Sequence, residues 1–168
     1  MRLTNYAMEE LECPKCGHKH SLKKYKVINV TEKARLKEEV IKNRLFWFNC
    51  EECEYTAPLT YNSLYVDSQR SFMIYMAPIM DAEVKAELAE LSQEKGAEKR
   101  LVDNIDDLKE KIMIAENHLD DRVIEIIKIM YLNEIKKEME NDTLLNILFD
   151  YNRDNYCFLV FFQKKGIG

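Results

Sequence analysis

Apolar positions follow a strand-like rhythm in the first half of the chain and a helical one in most of the second. Leu22, Tyr25, Val27 and Ile28, interleaved with Lys23, Lys24 and Lys26, predict a strand over about 22–29. Leu45–Asn49 and Tyr55–Thr60 read as two short strands. Asn62–Asp67 and Ser71–Ala77 read as two more, joined by a turn at Asp67-Ser68-Gln69-Arg70. In the last of these, Phe72, Ile74 and Met76 share one face and Met73, Tyr75 and Ala77 the other, and Pro78 ends it. Between the strands, Thr31 is the expected N-cap of a helix running to Arg44 through Ala34, Leu36, Val40 and Ile41. Residues 1–12, with Leu3, Tyr6, Met8 and Leu11 among polar neighbours, fit either a strand or an ordered arm.

Beyond Pro78 the spacing changes to three and four. Asp81 is expected to cap a helix with a Val84, Leu88 and Leu91 seam, ended by Lys95-Gly96-Ala97. A second helix opens at Asp103 or Asn104 and carries Ile105, Leu108, Ile112, Ala115 and Leu119. A third opens at Asp120 or Asp121 and is apolar around most of its circumference, so the pattern predicts cover on nearly all sides. Leu144–Tyr151 and Tyr156–Gln163 then form an expected hairpin across Asn152-Arg153-Asp154-Asn155. The run Phe158-Leu159-Val160-Phe161-Phe162 must be buried or paired, and an unpaired edge there invites self-association.

Two short clusters interrupt this pattern and supply its chemistry. Cys13-Pro14-Lys15-Cys16 and Cys50-Glu51-Glu52-Cys53 are C-x2-C pairs on either side of residues 17–49. Two intervening residues let a tight turn aim both sulfurs at one point, so the two turns predict a tetrahedral Zn2+ site on Cys13, Cys16, Cys50 and Cys53. Pro14 fixes one φ, and Gly17 supplies the left-handed conformation after the second ligand. At the equivalent place in the second turn stands Glu54, at a cost of about 1 kcal/mol. A closed four-thiolate set has no water position, which describes a structural rather than a catalytic metal. His18 and His20 are alternative ligands for a set that is already complete. A redox role for Cys13 and Cys16 would need a helix N-terminus after Cys16, and Gly17-His18-Lys19-His20 does not read as one.

The residues Cys13-Pro14-Lys15-Cys16-Gly17-His18, Ile28-Asn29-Val30-Thr31, Phe48-Asn49-Cys50-Glu51-Glu52-Cys53 and Phe72-Met73-Ile74-Tyr75-Met76-Ala77-Pro78 together resemble the CpXC domain family, over residues about 11–80. The stretch from Asn104 to Lys128 resembles the helical extension that follows such domains. Glu51 and Glu54 depart from the family's proline and glycine. The resemblance implies a metal-binding fold and brings no biochemical activity with it.

Composition narrows the remaining choices. The chain has 168 residues, 46% of them hydrophobic, enough for a real core. No run approaches a bilayer span and no apolar segment follows Met1, so no membrane contact and a cytoplasmic setting are expected, in which thiols bind metal rather than form disulfides. Residues 1–80 carry 12 Lys+Arg against 10 Asp+Glu, and residues 81–168 carry 13 against 20. The chain therefore lacks the broad basic field of a non-specific nucleic-acid binder. Only the Lys23, Lys24 and Lys26 strand, with nearby His18, His20 and Tyr25, keeps that alternative open. Asp120-Asp121-Arg122 reads as a helix start, Cys157 as a small apolar residue in a strand, and His118 as a helix-end residue; no arrangement for nucleophilic catalysis or phosphate binding accompanies them. The expected protein is α+β. A zinc-ribbon domain over residues 1–80, with a small antiparallel sheet and one inserted helix, is followed over 81–168 by a helical extension and a terminal β-hairpin. Its expected role is non-catalytic binding, through an unidentified protein partner or self-association, with no small-molecule substrate.

Overall fold

The computed structural model describes residues 2–138, 143–152 and 155–163. Arg153 and Asp154 of the expected hairpin turn lie outside the described residues. Two compact units divide the chain, Met1–Leu108 and Lys109–Gly168.

In the first unit, β1 (Asn5–Glu12) settles the open reading of the N-terminus by pairing antiparallel with β2 (Lys19–Asn29). After β2 comes α1 (Arg35–Ile41), shorter than expected and starting from Ala34 without a side-chain cap. Thr31 does not cap it. Its Oγ1 accepts the backbone N–H of Ser68 at 2.8 Å, and the turn before the helix is closed instead by Asn29, whose Oδ1 accepts from Glu32 N–H at 3.0 Å. The hairpin of β3 (Trp47–Asn49) and β4 (Thr56–Pro58) follows as a separate two-stranded sheet. Tyr61 secures the exit from that hairpin: its ring stacks on Phe46 at 4.8 Å and its hydroxyl donates to the Leu45 carbonyl at 2.6 Å.

β5 (Ser63–Asp67) and β6 (Phe72–Met76) are antiparallel neighbours, as the alternation predicts. The sheet around them is nonetheless mixed rather than antiparallel. β2 pairs parallel with β5, and β6 pairs parallel with β7 (Glu98–Val102), giving the order β1-β2-β5-β6-β7. β7 went unread because Glu98-Lys99-Arg100-Leu101-Val102 has little apolar alternation. It becomes a strand by completing a crossover in which α2 (Ala82–Gln93) carries the chain from β6 back to the same sheet edge. Asp81 caps α2 as expected, its Oδ1 accepting from Val84 N–H at 2.9 Å. Val84, Leu91 and the half-buried Leu88 pack on Leu64, Val66, Tyr75 and Ala77. The opposite-facing Tyr65 and Ile74 are buried too, so the central strands are covered on both faces and read as continuous apolar runs.

α3 (Ile105–Glu116) opens on Asn104, whose Oδ1 accepts from Asp107 N–H at 2.9 Å, and runs into the second unit. That unit also contains α4 (Asp121–Glu138) and the antiparallel pair β8 (Thr143–Asn152) and β9 (Asn155–Gln163). Ile114, Ile124 and Phe149 form its apolar centre, with Leu119 and Phe158 against them. Cover for α4 is one-sided. Val123, Ile126, Ile129 and Met130 remain more than half exposed, contrary to the expectation from its pattern. No helix among the described residues is long and apolar enough to cross a membrane.

Charged groups sit beside that centre. Glu110 is 1% exposed, and its carboxylate accepts from Lys128 Nζ at 2.9 and 3.0 Å and from the Phe149 backbone N–H at 2.6 Å. Lys111 is ion-paired with Asp121 at 2.7 Å and with Glu125. Burial pulls the Lys111 pKa down, but the Asp121 and Glu125 carboxylates outweigh it and hold the ammonium above its ordinary value. Removing one member of such a set strands a buried charge. Glu110→Ala is therefore expected to destabilise the second unit by about 3–5 kcal/mol, read as faster amide exchange at Phe149 in the full chain. Glu110→Gln, which keeps an acceptor for that amide, should cost clearly less.

Candidate metal centre

Each C-x2-C pair sits at the tip of a β-hairpin, and the two tips are built alike. At the first, between β1 and β2, Gly17 N–H donates to the Cys13 carbonyl at 2.8 Å and Cys13 N–H to the His18 carbonyl at 2.8 Å. At the second, between β3 and β4, Glu54 N–H donates to the Cys50 carbonyl at 3.0 Å and Cys50 N–H to the Tyr55 carbonyl at 2.8 Å. Gly17 has φ 74° and Glu54 φ 57°, so the left-handed residue expected after each second cysteine is present in both turns. These closed turns place two sulfurs at the tip of each hairpin.

The four thiols predicted from spacing are brought together. Their sulfurs all lie within 4.8 Å of one another. Across the two tips, Cys13 Sγ is 3.6 Å from Cys53 Sγ and Cys16 Sγ is 3.5 Å from Cys50 Sγ. A tetrahedron with Zn–S bonds of about 2.3 Å has edges of about 3.8 Å, so these separations fit one tetrahedral ion. They are far too long for disulfide bonds, and all five cysteines are free. Beneath the sulfurs, Cys13, Phe48 and Cys50 are buried together, with Leu11, Leu22, Tyr55 and Leu59 packed around them. Cys16 is the exposed member.

Crowding shows in the acidities. Burial raises the Cys13 thiol, but the backbone amides of Cys16 and Lys15 together with neighbouring sulfurs bring it down to about 7. The His18 amide lowers Cys16, yet burial and the sulfurs of Cys53, Cys50 and Cys13 push it up to about 12. Cys53 is raised as well, chiefly by burial. Cys13 gives up its proton more readily than Cys16 and Cys53, whose thiolates burial and the neighbouring sulfurs disfavour. A divalent cation removes that obstacle, so the donor set suits a thiophilic metal.

Other candidates fall around this centre or apart from it. His20 lies beside the cluster without belonging to it: its Nε2 is 3.3 Å from Cys50 Sγ, and its ring meets those of His18 and Phe48 edge-on. The sequence named His20 as a spare ligand and missed its place as a hydrogen-bonding neighbour of a thiol. The Leu11↔His20 pairing, the second rung of the ladder from the turn, is what brings it there. Lys15 was likewise missed as a link between the tips, its Nζ donating to the Cys53 carbonyl at 3.1 Å. The lysine strand is partly neutralised: Lys24 pairs with Glu9 at 2.5 Å, Lys19 with Glu10 at 2.8 Å, and Lys23 lies 5.0 Å over the Tyr6 ring. Asp120 starts α4, accepting from the Arg122 N–H at 2.9 Å. His118 takes φ 55° at the end of α3, and Cys157 donates to the Asp150 carbonyl at 3.6 Å.

The family model described as CpXC protein matches residues 11–128, from the approach to the first turn into α4. No curated protein and no solved structure matches the chain.

Glu54 gives a direct handle on the second turn. Glu54→Gly should relieve about 1 kcal/mol of left-handed strain and slow metal loss in a chelator competition. Gly17→Ala should speed that loss, because it imposes the same strain on the first turn.

Proposed function

The chain belongs to the CpXC family, and from that premise we propose that it is a non-catalytic interaction protein whose zinc ribbon is held in shape by one structural Zn2+ on Cys13, Cys16, Cys50 and Cys53. The observation that carries the reading is the spacing of the sulfurs. Four thiols within 4.8 Å, two cross-tip pairs of them near a tetrahedron's edge, fill the coordination sphere and leave no position for a reacting water. The metal then joins two hairpins that contribute to different sheets. Its free energy becomes folding free energy, and function is exercised by the surfaces so fixed, through contacts with protein.

The lysines do not favour a nucleic-acid reading, since β1 sets glutamates and an aromatic ring against three of them. The redox reading lacks its helix: Cys16 is followed by a closed turn and then by β2.

Native mass spectrometry of the purified full chain tests the central claim. One zinc per chain is expected. Brief alkylation of the zinc-loaded protein should spare Cys13, Cys16, Cys50 and Cys53, and Cys50→Ser should lose the metal together with the β3–β4 hairpin. A metal-free protein with the same fold, or zinc with an exchangeable water in place of one sulfur, would overturn the reading. Changing Lys23, Lys24 and Lys26 to Glu should leave metal content and partner binding unaltered; a steeply salt-dependent affinity for nucleic acid that these changes abolish would establish the rival role.

A further inference from the structure

The hairpin of the second unit has two edges that are treated differently. In its register Phe149 faces Phe158, and the Phe149 N–H points away from β9 to Glu110. By strand alternation, the N–H groups of Ile147 and Tyr151 point the same way. All three have acceptors: Asn146 Oδ1 takes Ile147 N–H at 2.8 Å, Glu110 Oε1 takes Phe149 N–H at 2.6 Å, and Asp150 Oδ1 takes Tyr151 N–H at 2.8 Å. The outward N–H groups of β8 from Ile147 to Tyr151 are thus each taken by a side-chain oxygen.

Among the described residues, β9 has no such closure. The same alternation turns the backbone groups of Tyr156, Phe158 and Val160 outward, and no hydrogen bond among the described residues reaches their N–H groups. Nothing on this strand discourages pairing either. Asn155–Gln163 contains no proline and no charged residue, and Leu159, Phe161 and Phe162 are 42%, 45% and 47% exposed. An unprotected edge beside a protected one marks the side on which a further strand belongs.

We propose that this strand is β9 of a second copy, paired antiparallel about a two-fold axis at Leu159, giving one four-stranded sheet in the order β8-β9-β9-β8. The composition of β9 suits its own copy. Antiparallel self-pairing about Leu159 sets Phe158 opposite Val160, Tyr156 opposite Phe162, and Asn155 opposite Gln163, with no charge meeting its like. The two-fold also ends the growth: once the β9 edges are joined, both remaining edges are the closed β8 ones, so a dimer forms and no fibre. This rests on the reading of the chain as an interaction protein and names its partner. Its test counts subunits rather than metal ions, so the two can fail separately.

The experiment is sedimentation velocity on the zinc-loaded full chain from about 1 to about 100 µM, with amide exchange at both ends of the range. A dimer with no larger species is expected, together with concentration-dependent protection of the Tyr156, Phe158 and Val160 amides. Leu159→Lys places two ammonium groups at the axis and should weaken association at least tenfold with zinc content unchanged. Mixing it with Leu159→Glu should restore a mixed dimer, a recovery that a merely misfolded variant would not give. A wild-type monomer throughout, growth without a fixed size, or a dimer indifferent to Leu159→Lys would each overturn the proposal. If both variants fail to fold, the subunit count and amide protection of the wild type decide alone.

Discussion

Four thiols lie within 4.8 Å of one another, close enough for one cation to stand among them and offset the repulsion between their thiolates. That convergence joins two sheets of the first unit. The sulfurs come from two hairpins lying in different sheets, and the joint is where the small β3–β4 sheet meets the tip of β1 and β2. With only Phe48 and a few half-buried neighbours beneath them, the tips have a modest apolar core of their own. Coordination of an ion, worth on the order of 10 kcal/mol in small metal domains, would be the larger force holding them together.

Legibility in the sequence followed the strength of the local signal. The convergence of the four cysteines was legible because C-x2-C spacing is a geometric statement about one turn, and a left-handed residue follows the second cysteine at both tips. β5, β6 and α2 were legible because burial on both faces, or a single seam with an aspartate cap, leaves a dense pattern. β7 was not, since its place depends on parallel pairing with β6, a contact that no stretch of five residues encodes. The α1 start was misread for a related reason: Thr31 looks like a cap locally, but its hydroxyl accepts from Ser68 on a distant turn.

In the second unit the polar residues are as informative as the apolar ones. Glu110 reads in the sequence as one more helix-surface acid, yet it is buried where it meets both Lys128 and a strand amide. Asn146 and Asp150 look like ordinary strand residues and instead occupy the amides next to them. Such roles depend on which edge of a two-stranded sheet a residue borders, a fact set by tertiary structure.

The parallel register of β2 with β5 has a consequence in time. Val27 must find Leu64 with α1 and the whole β3–β4 hairpin between them, and closing so long an excursion is slow because chain entropy is lost before any pairing compensates for it. Cys13 and Cys16 just before β2, and Cys50 and Cys53 shortly before β5, nearly bracket that excursion. An ion captured early would draw both strands into one neighbourhood, so ion supply would govern how quickly the sheet assembles as well as how firmly it holds.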